Sequence, residues 1–297
     1  MHNWRRLSFI ISSILFSLFL FGCSNEKEND VSLSERVDYT ITGIEAGAGI
    51  SNKTELAIEE YDSLAGWDVE FSSTAAMMAA LESAYKNEEP IIITGWNPHW
   101  MFVKYDDLIY LDDPLGIYGE EEDIHTLTRL GLEEDEPEAF AFFEQFAWDI
   151  EDMETILYEA EETGEEVEVV AEKWVKDNEE KVAKWMEGVD GTGVEIELAS
   201  NPWDSERASA GVAKAAMEQV GFKVNVTPLD SAVLFESIAN GDADATVGVW
   251  LPVTTKEYYD KHEKNLVDLG PNLSGAKIGL AVPSYMDINS IEDLEAK

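Results

Sequence analysis

Ile91-Ile-Ile-Thr-Gly-Trp-Asn-Pro98 and Ala245-Thr-Val-Gly-Val-Trp-Leu-Pro252 follow one pattern: an apolar run, a tryptophan, one further residue and a proline. The apolar runs read as buried strands. The proline ends each strand, because it has no N–H to donate to a ladder. Outward from these endings the similarity continues. The first copy begins at Ala46-Gly-Ala-Gly-Ile-Ser-Asn52 and enters a helical stretch near Asn52 or Thr54. It then passes through Gly66-Trp-Asp-Val-Glu-Phe71 and a second helical stretch from Ala75 to Tyr85. The second copy begins at Ala199-Ser-Asn-Pro-Trp-Asp-Ser205 and includes Gly221-Phe-Lys-Val-Asn-Val226 and a helical stretch from Ser231 to Asn240. Ile50 and Trp96 are 46 positions apart, and Trp203 and Trp250 are 47 apart, so the copies keep step.

Each copy reads loop, helix, strand, helix, strand. Alternation of this kind predicts parallel sheets in two α/β lobes. Ligands of such sheets sit beyond the carboxyl ends of the strands. Trp96 and Trp250 therefore occupy equivalent positions and face one another across a cleft. Trp203 falls in the corresponding loop of the second copy. Trp67 matches Phe222 and reads as core. Between the copies, Glu134 to Gly188 is acidic and helix-rich; its aromatics, from Phe140 to Trp185, also read as core.

The chain has 297 residues, with 20 basic and 62 acidic side chains and a net charge of −42. Nucleic acid is excluded as a partner, since its phosphates would be repelled. Runs such as Glu120-Glu121-Glu122 read as solvated surface. High salt would screen their mutual repulsion. At the start, Arg5 and Arg6 precede an apolar stretch from Leu7 to Phe21, too short for a membrane span and suited to a signal peptide. It ends Leu20-Phe21-Gly22-Cys23, which resembles a bacterial lipobox, and Cys23 is the single cysteine. The expected order is a signal peptide (1–22), a lipid-anchored tether (23–36), lobe 1 (37–190), lobe 2 (191–283) and a return segment (284–297).

Three indoles at loop or strand-end positions suit a quaternary ammonium group. Such a group has no N–H to donate and a diffuse charge, so aromatic faces hold it by cation–π attraction. Ala46-Gly-Ala-Gly-Ile50 precedes a helix, and N–H groups at a helix entrance favour an anion. Gly49 and Ile50 are the candidate backbone donors to a carboxylate. Catalysis has little support. His2, His99, His125 and His262 form no metal-spaced pair, and there is no Gly-x-Ser-x-Gly elbow or P-loop. No catalytic residue, metal or cofactor is expected. A secreted α/β hydrolase and a sensory or adhesive lipoprotein are the readings from other classes.

Gly95-Trp-Asn-Pro-His-Trp-Met-Phe102, Ala199-Ser-Asn-Pro-Trp203 and Val249-Trp-Leu-Pro252 resemble the glycine betaine-binding proteins of bacterial ABC importers. Gly43-Ile-Glu-Ala-Gly-Ala-Gly49 and Val282-Pro-Ser-Tyr285 add to the resemblance, which extends over nearly all of the chain after Glu35. The order of the halves is similar to the circularly permuted arrangement of Gram-positive members. The resemblance implies a type II periplasmic-binding-protein fold with its ligand cleft between two lobes. It implies an ammonium cage of Trp96, Trp203 and Trp250, and carboxylate contacts from Gly49 and Ile50. It implies a monomer, lipid-anchored on the extracytoplasmic face, that delivers its ligand to an ABC permease and its ATPase. Relatives with this order often place a carboxylate-binding histidine five residues after the tryptophan of Trp-Leu-Pro. Thr255 stands there instead, and its hydroxyl is the remaining candidate contact. Choline, carnitine and dimethylsulfoniopropionate are therefore alternative ligands. His99 is expected to support its loop.

Overall fold

The computed structural model describes residues 31–297, so the signal peptide and Cys23 lie outside the described residues. The chain runs α1 (Leu33–Arg36), β1 (Thr40–Thr42), α2 (Gly49–Glu60), β2 (Asp68–Glu70), α3 (Thr74–Asn87) and β3 (Ile93–Asn97). There follow α4 (Met101–Lys104), β4 (Leu108–Tyr110), β5 (Glu122–Arg129), α5 (Leu132–Asp135), α6 (Pro137–Gln145), α7 (Ile150–Thr163), α8 (Val167–Asp177) and α9 (Glu179–Val182). The last part comprises β6 (Glu195–Ser200), α10 (Asp204–Gln219), β7 (Lys223–Pro228), α11 (Ser231–Asn240), β8 (Ala245–Leu251), α12 (Lys256–His262) and β9 (Leu266–Pro283).

The repeat is present as structure. β1 lies between β2 and β3, parallel to both; β6 lies between β7 and β8, again parallel to both. Each copy thus opens with a strand of its own before the helix. Both copies close on a cis proline, Pro98 and Pro252.

The sheet is not wholly parallel, as the alternation alone predicts. Its order is β2-β1-β3-β9-β5-β8-β6-β7, with β4 pairing β9 off this path. β9 is antiparallel to β5 through Leu266–Ala276, then to β3 through Lys277–Ala281. It therefore passes from one half of the sheet into the other. The chain also crosses between the halves from Tyr110 to Glu122.

Helices form where a buried stripe meets a good cap. In α7, Met153, Ile156, Leu157 and Ala160 recur at helical spacing. Asp149 and Asp152 make a capping box at its start, and Gly164 ends it with φ 69°. The helical segment packs mainly on α10 of the second copy. Gly211 is the close-approach point: a Cβ there would lie 3.1 Å from that of Ala171 on α8. The segment's aromatics are core, with Phe142, Phe143, Phe146, Trp148 and Trp185 each at most 5% exposed.

The folded body begins at Ser32. Ser32 caps α1, and the buried Ser34 hydroxyl accepts from Glu295 N–H at 2.8 Å. That contact sets the region near residue 34 beside residue 295, the proximity a permuted order requires.

Candidate functional site

Four strand ends converge on one small cavity of about 30 Å³. The β1–α2 turn contributes Ile44, Ala48, Gly49 and Ile50; β3 contributes Trp96. From the other half come Trp203 and Glu206 at the start of α10, Trp250 at the end of β8, and Thr254 and Thr255 after it. Ile278 of β9 completes the lining. All six residues expected at the site line this cavity. Glu206 joins them unannounced.

Trp96 lies within β3, opposite Ile278, and is 5% exposed. Behind it His99 packs edge-to-face, ring centroids 4.6 Å apart. His99 is fully buried, and its Nδ1 accepts from Met101 N–H at 3.1 Å. Burial lowers its pKa to about 3, so the ring is neutral at physiological pH.

Trp203 is the N-cap residue of α10. Its indole N–H donates across to Glu45 at 3.2 Å, so the 43–49 turn of the other half fixes the ring. Tyr258 of α12 donates to Gly47 O at 2.7 Å, tying the same turn a second time. The helix after this turn starts at Gly49, three residues before Asn52. Gly49 and Ile50 therefore stand in the first turn of α2, where N–H groups have no intrahelical acceptor. Gly49 is obligatory on packing grounds: a Cβ there would come within 2.1 Å of Thr254 O.

Trp250 is 3% exposed, and its indole N–H has no hydrogen-bond partner among the described residues. Thr255 secures its backbone. Both the amide and the hydroxyl of Thr255 donate to Trp250 O, at 3.0 and 2.6 Å. The hydroxyl proton is thus engaged within the loop. Glu122 organises the rest of that loop, accepting from Val253 N–H at 3.1 Å, Thr254 N–H at 2.9 Å and the Thr254 hydroxyl. Far from being solvated surface, Glu122 is 2% exposed. Burial raises its pKa and these donors oppose the rise.

Glu206 is 5% exposed. Ser205 donates to it at 2.6 Å. Burial pushes its carboxyl up to about 7, against the pull of Ser205 and the neighbouring Trp250 indole. The sequence carried a signal for it: Glu206 shares the buried stripe of α10 with Ala210, Ala213 and Met217. Among the described residues, no group of three or more His, Cys, Asp or Glu side chains could hold a metal ion. No described helix is long and apolar enough to cross a membrane.

A family model described as the substrate binding domain of ABC-type glycine betaine transport systems matches residues 24–177 and 194–297. The glycine betaine/carnitine transport binding protein GbuC of Listeria monocytogenes is 45% identical over 290 residues, covering 96% of each chain. Lactococcal OpuAC, solved in a closed form with glycine betaine, is 44% identical over 50% of this chain and 58% of its own, with a TM-score of 0.48. The ProX structure from Borrelia burgdorferi is 35% identical over 51% of this chain and 57% of its own, also at a TM-score of 0.48. The chain belongs to the family of extracytoplasmic substrate-binding proteins of ABC-type glycine betaine importers.

Proposed function

We propose that this protein captures glycine betaine and hands it to an ABC permease and its ATPase, without chemical turnover. The observation that carries this reading is the convergence of three indoles and a helix N-terminus on one cavity. Trp96, Trp203 and Trp250 hold the trimethylammonium group, each well-placed face contributing about 0.5–2 kcal/mol. The N–H groups of Gly49 and Ile50 receive the carboxylate at the positive end of α2. Thr255 contributes indirectly, by fixing Trp250, because its proton is already engaged. Carnitine is a second ligand on this reading. It carries the same head and an anionic end, and the 45% identical relative is named for both solutes.

The cage is shared between two lobes. The crossings at residues 111–121 and near Ala276 divide them and act as the hinge, rather than a boundary at Asp190. Cys23 is the lipidated anchor that holds the monomer at the outer face of the membrane. Calorimetric titration of the purified protein with glycine betaine, carnitine and choline tests the reading. Tight binding of glycine betaine with weak binding of choline is expected, because choline brings no carboxylate to α2. Absence of heat with all three would overturn the reading.

A further inference from the structure

Glu206 sits at the back of a cavity that three indoles already line. Its place is prepared from two sides. Gly248 and Trp250 lie on one face of β8, since alternate strand residues share a face. A Cβ on Gly248 would meet Glu206 Cγ at 2.8 Å, so the glycine leaves room for the Glu206 stem. The head lies beside the Trp250 indole, whose N–H has no hydrogen-bond partner among the described residues. Among the described residues no basic side chain pairs with Glu206. Arg207, next in sequence, is turned to Glu166, Glu168 and Asp204.

We propose that Glu206 is the charge-selecting residue of this pocket: its carboxylate, set between Ser205 and the Trp250 indole, favours an onium ligand over an uncharged ligand of the same shape. The proposal rests on the quaternary-ammonium reading above. Indole faces attract a cation, yet they also accept a neutral tert-butyl group on apolar grounds. A buried carboxylate without a basic partner is costly, and only a ligand that brings a positive charge compensates it. For a zwitterion the benefit is smaller, because the ligand's own carboxylate is repelled.

Ligand binding and proton release are therefore coupled. Near pH 7 the Glu206 carboxyl is partly protonated. An onium stabilises the ionised form, and the proton leaves to the buffer. A quaternary ammonium has no proton of its own to give. The other charged groups around the site are Asp204 and Arg207 on α10, Glu166 and Glu168 on α8, Glu45 behind Trp203, Glu122 behind the 252–255 turn, and the neutral His99 behind Trp96.

The test is calorimetric titration of wild type, Glu206→Gln and Glu206→Asp with choline, glycine betaine and 3,3-dimethyl-1-butanol, the uncharged isostere of choline. Two buffers of different ionisation heat at about pH 6 and about pH 8 give the proton count by linkage. Wild type should release a substantial fraction of a proton per choline at the lower pH and almost none at the higher. Glu206→Gln should release none, and its preference for choline over the isostere should fall about tenfold, equivalent to one unit of pKa coupling. Glu206→Asp keeps the charge and should retain the release. A Gln variant with wild-type proton release and preference would overturn the proposal, as would an Asp variant without release. Wild type that binds no quaternary ammonium at all would overturn the ligand reading and this proposal with it.

Discussion

Trp203 is the most exposed of the three indoles that line the cavity, and Trp96 and Trp250 are buried. Their substitutions therefore differ in kind. Trp203→Ala should weaken glycine betaine binding by about 3- to 30-fold, the range for one cation–π face, with little change in melting temperature. Trp96→Ala and Trp250→Ala should weaken binding and also destabilise the fold by about 3–5 kcal/mol, because each leaves a cavity. Titration and thermal melts separate the two effects. Glu206 gives a pH-dependent counterpart. Its pKa, pushed up to about 7 in the folded protein, exceeds its ordinary value of 4.5. The folded state thus prefers the protonated carboxyl. That preference acts fully below about pH 4.5 and is lost as pH rises through about 7. Glu206→Gln should match wild type in stability near pH 4.5 and exceed it near pH 8 by up to about 3 kcal/mol. Urea unfolding at the two pH values measures the difference.

At the level of the element, the β1–α2 turn is where position matters most. It fixes the Trp203 ring, receives Tyr258 and starts the helix whose first residues, Gly49 and Ile50, line the cavity. Gly49→Ala would drive a methyl into Thr254 O, so the turn and the 252–255 loop must part. The expected result is a loss of glycine betaine affinity of about tenfold or more, corresponding to at least ~1.4 kcal/mol, with only a modest shift in melting temperature. This element was legible in the sequence, because glycines before a helix and repeated Trp-x-Pro strand ends are local signals. β5 and β9 were not. Glu122-Asp-Ile-His-Thr-Leu-Thr-Arg129 mixes charged and apolar residues, and β9 carries Gly270, Pro271 and Gly275 within its run. Both strands take their places from distant partners. For the same reason Glu122 looked like the solvated glutamates beside it; only tertiary packing distinguishes its buried carboxylate from theirs. The helix expected to begin near Asn52 or Thr54 begins instead at Gly49, with Ala48 in the N-cap position.

For the whole molecule, charge is the dominant property. A net charge of −42 makes the folded state repel itself, and salt screens that repulsion. The urea midpoint should therefore rise between low and high NaCl; a midpoint indifferent to salt would show that the acidic faces are already balanced locally. Ion pairs such as Lys173–Glu159 and Lys223–Glu195 lie on the surface and contribute little against so large an excess. The two ties across the cleft, Trp203 to Glu45 and Tyr258 to Gly47, have a kinetic meaning. On the proposed reading, lobes that part to release the ligand must break both. On that reading they act on the rate of escape, and residence time is set partly by bonds that never touch the ligand. Tyr258→Phe should shorten that residence time while leaving the indole cage intact. A receiving permease that competes for the Tyr258 hydroxyl or the Gly47 carbonyl would gain a trigger for unloading.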